Sequence, residues 1–515
     1  MSNIDGQIVF AMLLALPLSA ALGWWVAARY RKAMLALMRG GAAHKSIAGC
    51  APAVHARSEV NSDIDLACNR RMTRRLSQVL VAISLAIGLS LAWFELAFVY
   101  TEGGYGLRKL LVMGLLEAWP AVPALGLLWR WSLGRTAAGV LAYLLAITLL
   151  VVLSSNESQS ALTVFGWLLG GAMVPLLALL SLASSGRIRA VSPFLFPACA
   201  SLIAASMLAL EWLAVRVDTP PESLLVVVET IGALPAIALF ALLPWLVAIW
   251  PVMGLARWLA GRYRAKRFSE LGYLFGVFWL VVLIGRVLPA THSAIGLGAF
   301  AGIMAWLWVP LGFVLARSWL TPPGGPPTLL VLRVFRRDAE VASLFDAVIE
   351  RWRQSGNTVM IAGTDLVTHT VDPDDIFTFL SRRLGERFIA SPADVAARIA
   401  GFDLVADPDG RYRVNECYCT DATWQAALDA LVGQSHVVLM DLRGFARENA
   451  GCLFELGALA AAPGLLRVVV LHDAQTDRAA ADERIAAAPP GRFVWIEAAA
   501  LDRRCRERIL AALLG

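Results

Sequence analysis

The chain has 515 residues, of which 58% are hydrophobic, and its mean hydropathy of +0.65 lies well above that of a soluble protein. Its formal charge of +6 is unevenly spread: residues 328–515 hold 21 Arg, no Lys and 26 acidic residues, whereas the remainder holds 24 basic and 13 acidic residues. The positive excess thus belongs to the apolar part, which favours a membrane-topology signal and argues against nucleic acid as a partner. Seven scattered Cys exclude a disulfide framework.

Long apolar runs predict a membrane domain over residues 1–320 with about nine spanning helices, since about 20 apolar residues cross the hydrocarbon core. The first run has neither a basic segment before it nor a cleavage site, so we expect a retained helix and not a signal peptide. The run 224–256 is too long for one straight crossing, and its three prolines predict a kink or an interfacial end and not a second crossing. The predicted spans are 8–28, 77–100, 110–129, 136–154, 161–183, 193–215, 224–256, 271–289 and 294–316.

Basic residues are concentrated in alternate connections between these spans. The odd-numbered connections, starting with 29–75, hold 19 Lys and Arg, whereas the N-terminus and the other connections hold 3. This asymmetry predicts a multi-pass protein of the inner membrane, with the N-terminus outside and the C-terminus in the cytoplasm. The lipid bilayer is therefore an expected partner.

Five ionisable residues fall within predicted spans, where a charge is costly and usually has a function. In the predicted topology all five lie in the outer half of their spans. One interpretation is an outward-facing polar cavity, with the arginine as counter-ion to one carboxylate. The other interpretation is that each side chain reaches the lipid headgroups from near a helix end, and this is favoured for Glu211 and Glu229. The residues are Glu95, Glu117, Glu211, Glu229 and Arg286.

A linker rich in Pro and Gly, 321–327, separates the membrane domain from residues 328–515 and predicts a semi-rigid spacer. Beyond it, strand and helix patterns alternate, which predicts an α/β domain with a parallel sheet and helices on both faces. Two short runs, 404–405 and 412–416, flank an Asp-Pro-Asp-Gly turn signal and predict a hairpin inserted into that pattern.

The stretch 436–459, HVVLMDLRGFARENAGCLFELGAL, carries the principal candidate residue. Its apolar start predicts a buried strand that ends at Asp441, and Asn449 is a suitable N-cap for the helix behind the turn. Glu455 lies in that apolar helix, just past the carboxyl end of a strand, where open α/β sheets place their ligands. Gly451 shares its face and leaves room for approach to the carboxylate.

This strand, turn and helix resemble the segment of Toll/interleukin-1 receptor (TIR) domains that carries the glutamate of the NAD-cleaving members. The motif stands here as Gly451-Cys452-Leu453-Phe454-Glu455-Leu456, and Leu332 to Asp338 resembles the opening strand and polar loop of those domains. The resemblance covers the C-terminal third. It implies a flavodoxin-like, TIR-like fold for residues 328–515, with nucleoside deoxyribosyltransferase-like domains as the near neighbour.

The resemblance implies cleavage of the nicotinamide–ribose bond of NAD, with Glu455 as the catalytic carboxylate and NAD as substrate, without a further cofactor. An anion suits this chemistry because the transition state is oxocarbenium-like. Arginine side chains could hold the diphosphate, and Asn449 a ribose hydroxyl, although helix capping is the simpler role for it. TIR enzymes act as assemblies, so a homo-oligomer is implied. The expected ligand contacts, all near strand ends, are Phe335, Arg336, Arg337, Asp365, Arg443 and Asn449.

The expected function is a membrane-anchored sensor and effector that cleaves or binds NAD or a related nucleotide on clustering. Two alternatives stay open: a non-catalytic receptor or scaffold in which Glu455 only pairs with a neighbouring arginine, and a transporter or channel with a regulatory nucleotide-binding domain. We expect no metal site, because Cys417 and Cys419 have C-x-C spacing with no second pair nearby. On a strand the two thiols would point the same way into the core.

Overall fold

A computed structural model describes residues 4–38, 59–100, 106–155, 160–182, 186–216, 219–334, 343–362, 378–380, 384–389, 391–420 and 422–515. These residues form two compact units. The membrane unit contains residues 4–28 and 80–312, and the sheet unit contains the described residues of 29–79 and of 313–515.

The N-terminal part of the chain is helical. Eight helical stretches among the described residues are long and apolar enough to cross a membrane, which confirms a multi-pass membrane protein, while the ninth predicted span remains a prediction. The α-helices are α1 (Ile4–Met38), α2 (Leu66–Phe94), α3 (Leu107–Glu117), α4 (Ala121–Leu128), α5 (Leu133–Ser154), α6 (Ala161–Leu182), α7 (Gly186–Val215), α8 (Glu222–Ile231), α9 (Ala233–Arg264), α10 (Glu270–Ala290) and α11 (Trp308–Leu320).

Helix α8 ends within the long run 224–256, but not at a proline. The chain breaks at Gly232, whose φ of +87° is readily adopted only by a residue without a Cβ. Pro244 and Pro251 lie inside α9. The helix thus ends at a glycine within this run, ahead of the prolines from which the sequence predicted a kink or an interfacial end.

Two segments of the membrane unit depart from α-helical hydrogen bonding. Residues Glu95–Val99 continue α2 as a π-helix, and Gly296–Leu307 form a 3-10 helix ahead of α11. Single π-turns are frequent at functional sites, and long 3-10 helices are uncommon. Both segments are therefore local departures from the regular α-helical hydrogen-bond pattern.

The sheet unit is built on a seven-stranded sheet in which every pair of neighbouring strands is parallel, as the alternating pattern predicted. The strand order is β3-β4-β2-β1-β5-β6-β7, so it reverses direction between β1 and β5. The strands are β1 (Thr328–Arg333), β2 (Asn357–Ala362), β3 (Phe388–Ile389), β4 (Val414–Cys419), β5 (Val437–Asp441), β6 (Arg467–His472) and β7 (Phe493–Glu497).

Helices cover both faces of this sheet and give it two separate cores. Leu330 and Met440 belong to one core, and their chain neighbours Val331 and Leu439 belong to the other, because successive side chains of a strand point to opposite faces. The helices are α12 (Glu350–Trp352), preceded by a π-turn, α13 (Asp394–Ala400), α14 (Trp424–Gln434), α15 (Ala450–Ala461), α16 (Arg478–Ile485) and α17 (Arg503–Leu514).

The predicted hairpin at residues 404–416 is wrong. Residues 404–405 form no strand, and β4 pairs in parallel with both β2 and β3. The Asp-Pro-Asp-Gly signal instead forms a buried turn, in which the amide of Asp407 donates to the carbonyl of Arg411 at 2.8 Å. Arg413 Nε then donates to both carboxylate oxygens of Asp407, at 3.0 and 3.1 Å. This loop is therefore closed by an ion pair, which the turn signal in the sequence does not predict.

Candidate functional site

The carboxyl ends of β1 and β5 lie where the strand order of the sheet reverses. In open α/β sheets a ligand crevice forms at such a point, because the connections on either side leave in opposite directions. Arg333 ends β1 and is in register with Asp441, which ends β5. Both side chains are buried, at 3% and 5% exposure. Two opposite charges therefore stand side by side at the edge where a ligand is expected.

Asp441 also pairs with Arg443 in the turn behind β5. Arg443 Nε donates to Asp441 Oδ1 at 2.8 Å, and its NH2 donates to Oδ2 at 2.5 Å, a two-pronged geometry that binds a carboxylate strongly. Arg443 was predicted to hold the diphosphate of a nucleotide. In the structure its guanidinium is engaged with this carboxylate, so its direct role is to fix the turn.

The turn behind β5 is fixed to the turn behind β6 by three hydrogen bonds. The amide of Gly444 donates to Asp473 Oδ1 at 2.9 Å, and Thr476 Oγ1 donates to the carbonyl of Leu442 at 2.9 Å. The amide of Asp477 donates to the carbonyl of Phe445 at 2.8 Å. Asp473 is a residue that the sequence analysis missed, although its place directly after a buried strand could have indicated it. These bonds give the crevice a rigid edge.

Helix α15 begins immediately behind this turn. Asn449 occupies the N-cap position, as predicted, but its side chain makes no capping bond to the helix. Its Oδ1 instead accepts a hydrogen bond from the amide of Ala446 at 2.8 Å, which closes the turn. Asn449 therefore sets the direction in which α15 leaves the sheet, and no contact in the structure tests a role for it in ribose binding.

Glu455 lies in the middle of α15 and is 5% exposed. Its neighbours Cys452, Leu456 and Leu459 belong to the core beneath the helix. Among the described residues, Glu455 Oε2 has no hydrogen-bond partner. A buried carboxyl oxygen without a partner is costly, whether the group is ionised or protonated.

Burial raises the pKa of Glu455 to about 8, and the positive charge of Arg333 acts in the opposite direction. Desolvation penalises the charged form of a carboxyl group, whereas a nearby guanidinium favours it. At neutral pH the group is therefore mainly protonated in the ligand-free protein and close to its titration midpoint. The sequence placed Arg333 in the first strand but did not indicate that its charge would act on Glu455.

Gly451 precedes Glu455 by one helical turn and leaves space beside it. A Cβ at this position would have no neighbouring atom within 4 Å. By contrast, a Cβ at Gly457, on the other side of Glu455 in the helix, would meet the Arg484 guanidinium at 2.7 Å. The helix is therefore open at Gly451, one turn before Glu455, and the Glu455 side chain lies more than 4 Å from this open position.

The structure leaves four of the predicted ligand contacts untested. Phe335, Arg336, Arg337 and Asp365 lie outside the part of the chain that the structure describes. Arg443, which the structure does describe, is held by Asp441.

Cys417 and Cys419 lie on β4, which extends beyond residues 412–416, the segment predicted as a strand. Burial raises the pKa of both thiols, that of Cys419 to about 12, so both are protonated. In the described ranges no group of three or more His, Cys, Asp or Glu side chains could hold a metal ion. The two cysteines therefore act as small apolar side chains in the core.

Three of the five ionisable residues predicted within spans come together in the membrane unit. Arg286 on α10 lies with its NH2 2.5 Å from Glu117 Oε1 and 3.3 Å from Glu95 Oε1. The sequence interpretation paired the arginine with one carboxylate, and the structure gives it two. Glu211 and Glu229 lie on α7 and α8, where they are partly exposed and exposed.

Comparison with known proteins gives no match for this chain among protein-family models, curated proteins or solved structures.

Proposed function

We propose that the sheet unit is cytoplasmic, binds the ribose of NAD or a related nucleotide at Glu455, and cleaves its nicotinamide–ribose bond when chains cluster. The membrane helices would anchor the chain in the inner membrane and sense a signal there. The main observation in support is that Glu455 Oε2 has no hydrogen-bond partner in the described part of the chain, although it is buried in a helix that follows a strand where the strand order reverses. The asymmetric distribution of Lys and Arg supports the cytoplasmic placement.

The free oxygen of Glu455 matches the donors that a ribose presents. A ribose hydroxyl that donates to Oε2 would remove the cost of the buried acceptor, so part of the binding free energy comes from satisfying this atom. We propose that a sugar approaches over Gly451, one helical turn before Glu455, where an added Cβ would meet no atom within 4 Å. Binding and catalysis would then use the same side chain.

The raised pKa of Glu455 makes its charge depend on the substrate. The nicotinamide ring of NAD is a cation, and a cation beside a carboxyl group favours its ionised form. Arg333 already lowers the pKa of Glu455, and the cationic nicotinamide ring of the substrate would lower it further. Substrate binding would thus convert the protonated Glu455 into a carboxylate. In a buried site that carboxylate acts strongly on nearby charge, because little solvent screens it.

In the bond-breaking step the ionised Glu455 stabilises the positive charge that develops on the ribose ring. The bond between ribose C1′ and the nicotinamide nitrogen breaks, and nicotinamide leaves as a neutral base with the electron pair. Water then forms a new bond to C1′ and releases one proton to solvent. The products are nicotinamide and ADP-ribose, so the step requires no oxidant or reductant.

The test uses the full chain in lipid nanodiscs, crosslinked into clusters, and measures nicotinamide released from NAD. Glu455→Gln keeps the size of the side chain and removes its charge, and we expect a loss of about a hundredfold or more, as for other groups that stabilise transition-state charge. The matched control is Glu483→Gln on α16, an exposed residue paired with Arg447, which should release nicotinamide at the parental rate. Equal rates in the Glu455→Gln variant and the parent would refute catalysis by this residue.

A second candidate, a nucleotide-binding receptor without catalysis, is favoured by one observation. Glu455 is almost fully buried and mainly protonated at neutral pH, which suits a hydrogen-bonding acid better than a permanent anion. Calorimetry with NAD separates the candidates: heat of binding without nicotinamide release supports the receptor. Absence of both binding and release would leave the scaffold, in which Glu455 has a structural role alone.

A further inference from the structure

A buried group of charges lies in the membrane unit, formed by residues from three separate helical segments. Glu95 is the first residue of the π-helix, Glu117 is the last residue of α3, and Arg286 lies near the end of α10. The two glutamates are 4% and 1% exposed. One guanidinium nitrogen, NH2 of Arg286, contacts both carboxyl groups, at 2.5 Å from Glu117 and at 3.3 and 3.5 Å from the two oxygens of Glu95.

This charge cluster contains two acids and a single base. Arginine remains protonated in proteins, so full ionisation of both acids would leave one uncompensated negative charge in a buried, apolar setting. Such a charge is expensive in a membrane, and a group in this position takes up a proton instead. Two carboxyl groups that share one site then titrate as a pair. We propose that Glu95, Glu117 and Arg286 form an intramembrane site that holds one exchangeable proton between the two carboxyl groups.

The surroundings fit a site that exchanges a proton better than a fold-stabilising ion pair. A stabilising pair needs one acid for one base, and here a second acid is added. Arg286 Nε is buried and, in the described part of the chain, has no hydrogen-bond partner, so the guanidinium retains a donor beyond its two carboxyl contacts. Glu95 also sits where α2 changes to a π-helix, the kind of local rearrangement that re-aims functional side chains.

The other described groups close to the cluster do not compete for the proton. The backbone amide of Tyr100 donates to the carbonyl of Glu95 at 2.8 Å, and the hydroxyl of Tyr143 on α5 donates to the carbonyl of Leu115 at 2.6 Å. Phenol groups hold their protons far above neutral pH. On the remaining side the ring of Trp167 lies 5.1 Å from Arg286 Cζ, a contact that favours the cation. The exchangeable proton therefore belongs to the carboxyl pair.

Infrared spectroscopy of the full chain in nanodiscs tests this site, because a protonated carboxyl group has a carbonyl band separate from that of a carboxylate. Glu455 would give such a band too, so every measurement is made in the Glu455→Gln background. At neutral pH this background should show a protonated-carboxyl band that shifts in heavy water. Glu95→Gln and Glu117→Gln should each remove it, since the remaining acid then forms a one-to-one ion pair with Arg286. Arg286→Gln should enlarge it, because both acids then take up a proton.

Glu229→Gln is the matched control, an exposed glutamate on α8, and it should leave the band unchanged. Circular dichroism and gel filtration identify variants that fail to fold, and either single glutamate variant suffices to decide. Absence of the band in the background, or its survival in both Glu95→Gln and Glu117→Gln, would overturn the proposal. A band that appears only when sodium is replaced by choline would also overturn it and would indicate a sodium site. None of these results depends on nucleotide cleavage by the sheet unit.

Discussion

Arg443 binds both carboxylate oxygens of Asp441, at 2.8 and 2.5 Å, at the end of the strand that leads to the candidate site. The pair is buried on both sides. It fixes the turn from which α15 departs, whereas Glu455, farther along that helix, has an oxygen without a partner among the described residues. The two carboxyl groups therefore differ in their partners, and we propose that only Glu455 meets a ligand.

The Asp441–Arg443 pair should contribute strongly to the stability of the sheet unit. Arg443→Gln leaves a buried carboxylate without its partner, and breaking such a pair typically costs about 3–5 kcal/mol. The double variant Asp441→Asn/Arg443→Gln should recover part of that loss, since it removes the unpaired carboxylate and leaves Arg333 as the buried charge beside the turn. Chemical denaturation, followed by the fluorescence of Trp495 and the other tryptophans, measures the unfolding free energy of both variants. If the double variant were no more stable than Arg443→Gln, the unpaired carboxylate of Asp441 would not be the cause of the lost stability.

Glu455 should make the stability of the sheet unit fall as pH rises. Its pKa is about 8 in the folded chain and near its ordinary value when unfolded, so between these values the folded state holds a proton that the unfolded state has lost. Stability from this group is complete below pH 4.5 and declines until about pH 8, by at most about 1.4 kcal/mol per pH unit. The difference in unfolding free energy between parent and Glu455→Gln should follow that slope, and a difference independent of pH would contradict it.

The space beside Gly451 should be needed for binding but not for folding. Gly451→Leu places a side chain in the open space one helical turn before Glu455, and replacing a helical glycine should add about 0.5–1 kcal/mol of stability. We therefore expect a stable variant that has lost NAD binding in calorimetry. The matched control is Gly433→Leu near the end of α14, where an added Cβ also meets no atom within 4 Å. Loss of binding in both variants would mean that the effect is not local.

Gly410 should tolerate no larger residue. Its φ is +80°, and a Cβ there would lie 2.3 Å from the carbonyl oxygen of Leu320, which is backbone and cannot move aside. Gly410→Ala should therefore cost about 1–3 kcal/mol or more through strain alone. Thermal unfolding of the full chain checks this, with Gly433→Ala as a helical control that should be neutral or stabilising. An unchanged midpoint for Gly410→Ala would contradict the geometry.

Local patterns in the sequence determined the main architecture. Apolar runs predicted a multi-pass membrane protein, and alternating strand and helix patterns predicted a parallel sheet, because hydrophobic length and periodicity are properties of short segments. The strand at Val437, the helix at Ala450 and the place of Glu455 within it follow from the same local signals. The Asp-Pro-Asp-Gly stretch shows the limit of such reasoning, since the turn formed but did not join two antiparallel strands.

Only the tertiary structure decided which charges meet. Arg443 turns back to Asp441, and Arg286 joins two glutamates that precede it by more than a hundred residues, while Glu211 and Glu229, with the same sequence signal, lie elsewhere. The burial that raises the pKa of Glu455 likewise depends on how α15 packs on the sheet. Such pairings arise between elements remote in the chain, and their free energy depends on depth and geometry, which no local pattern records.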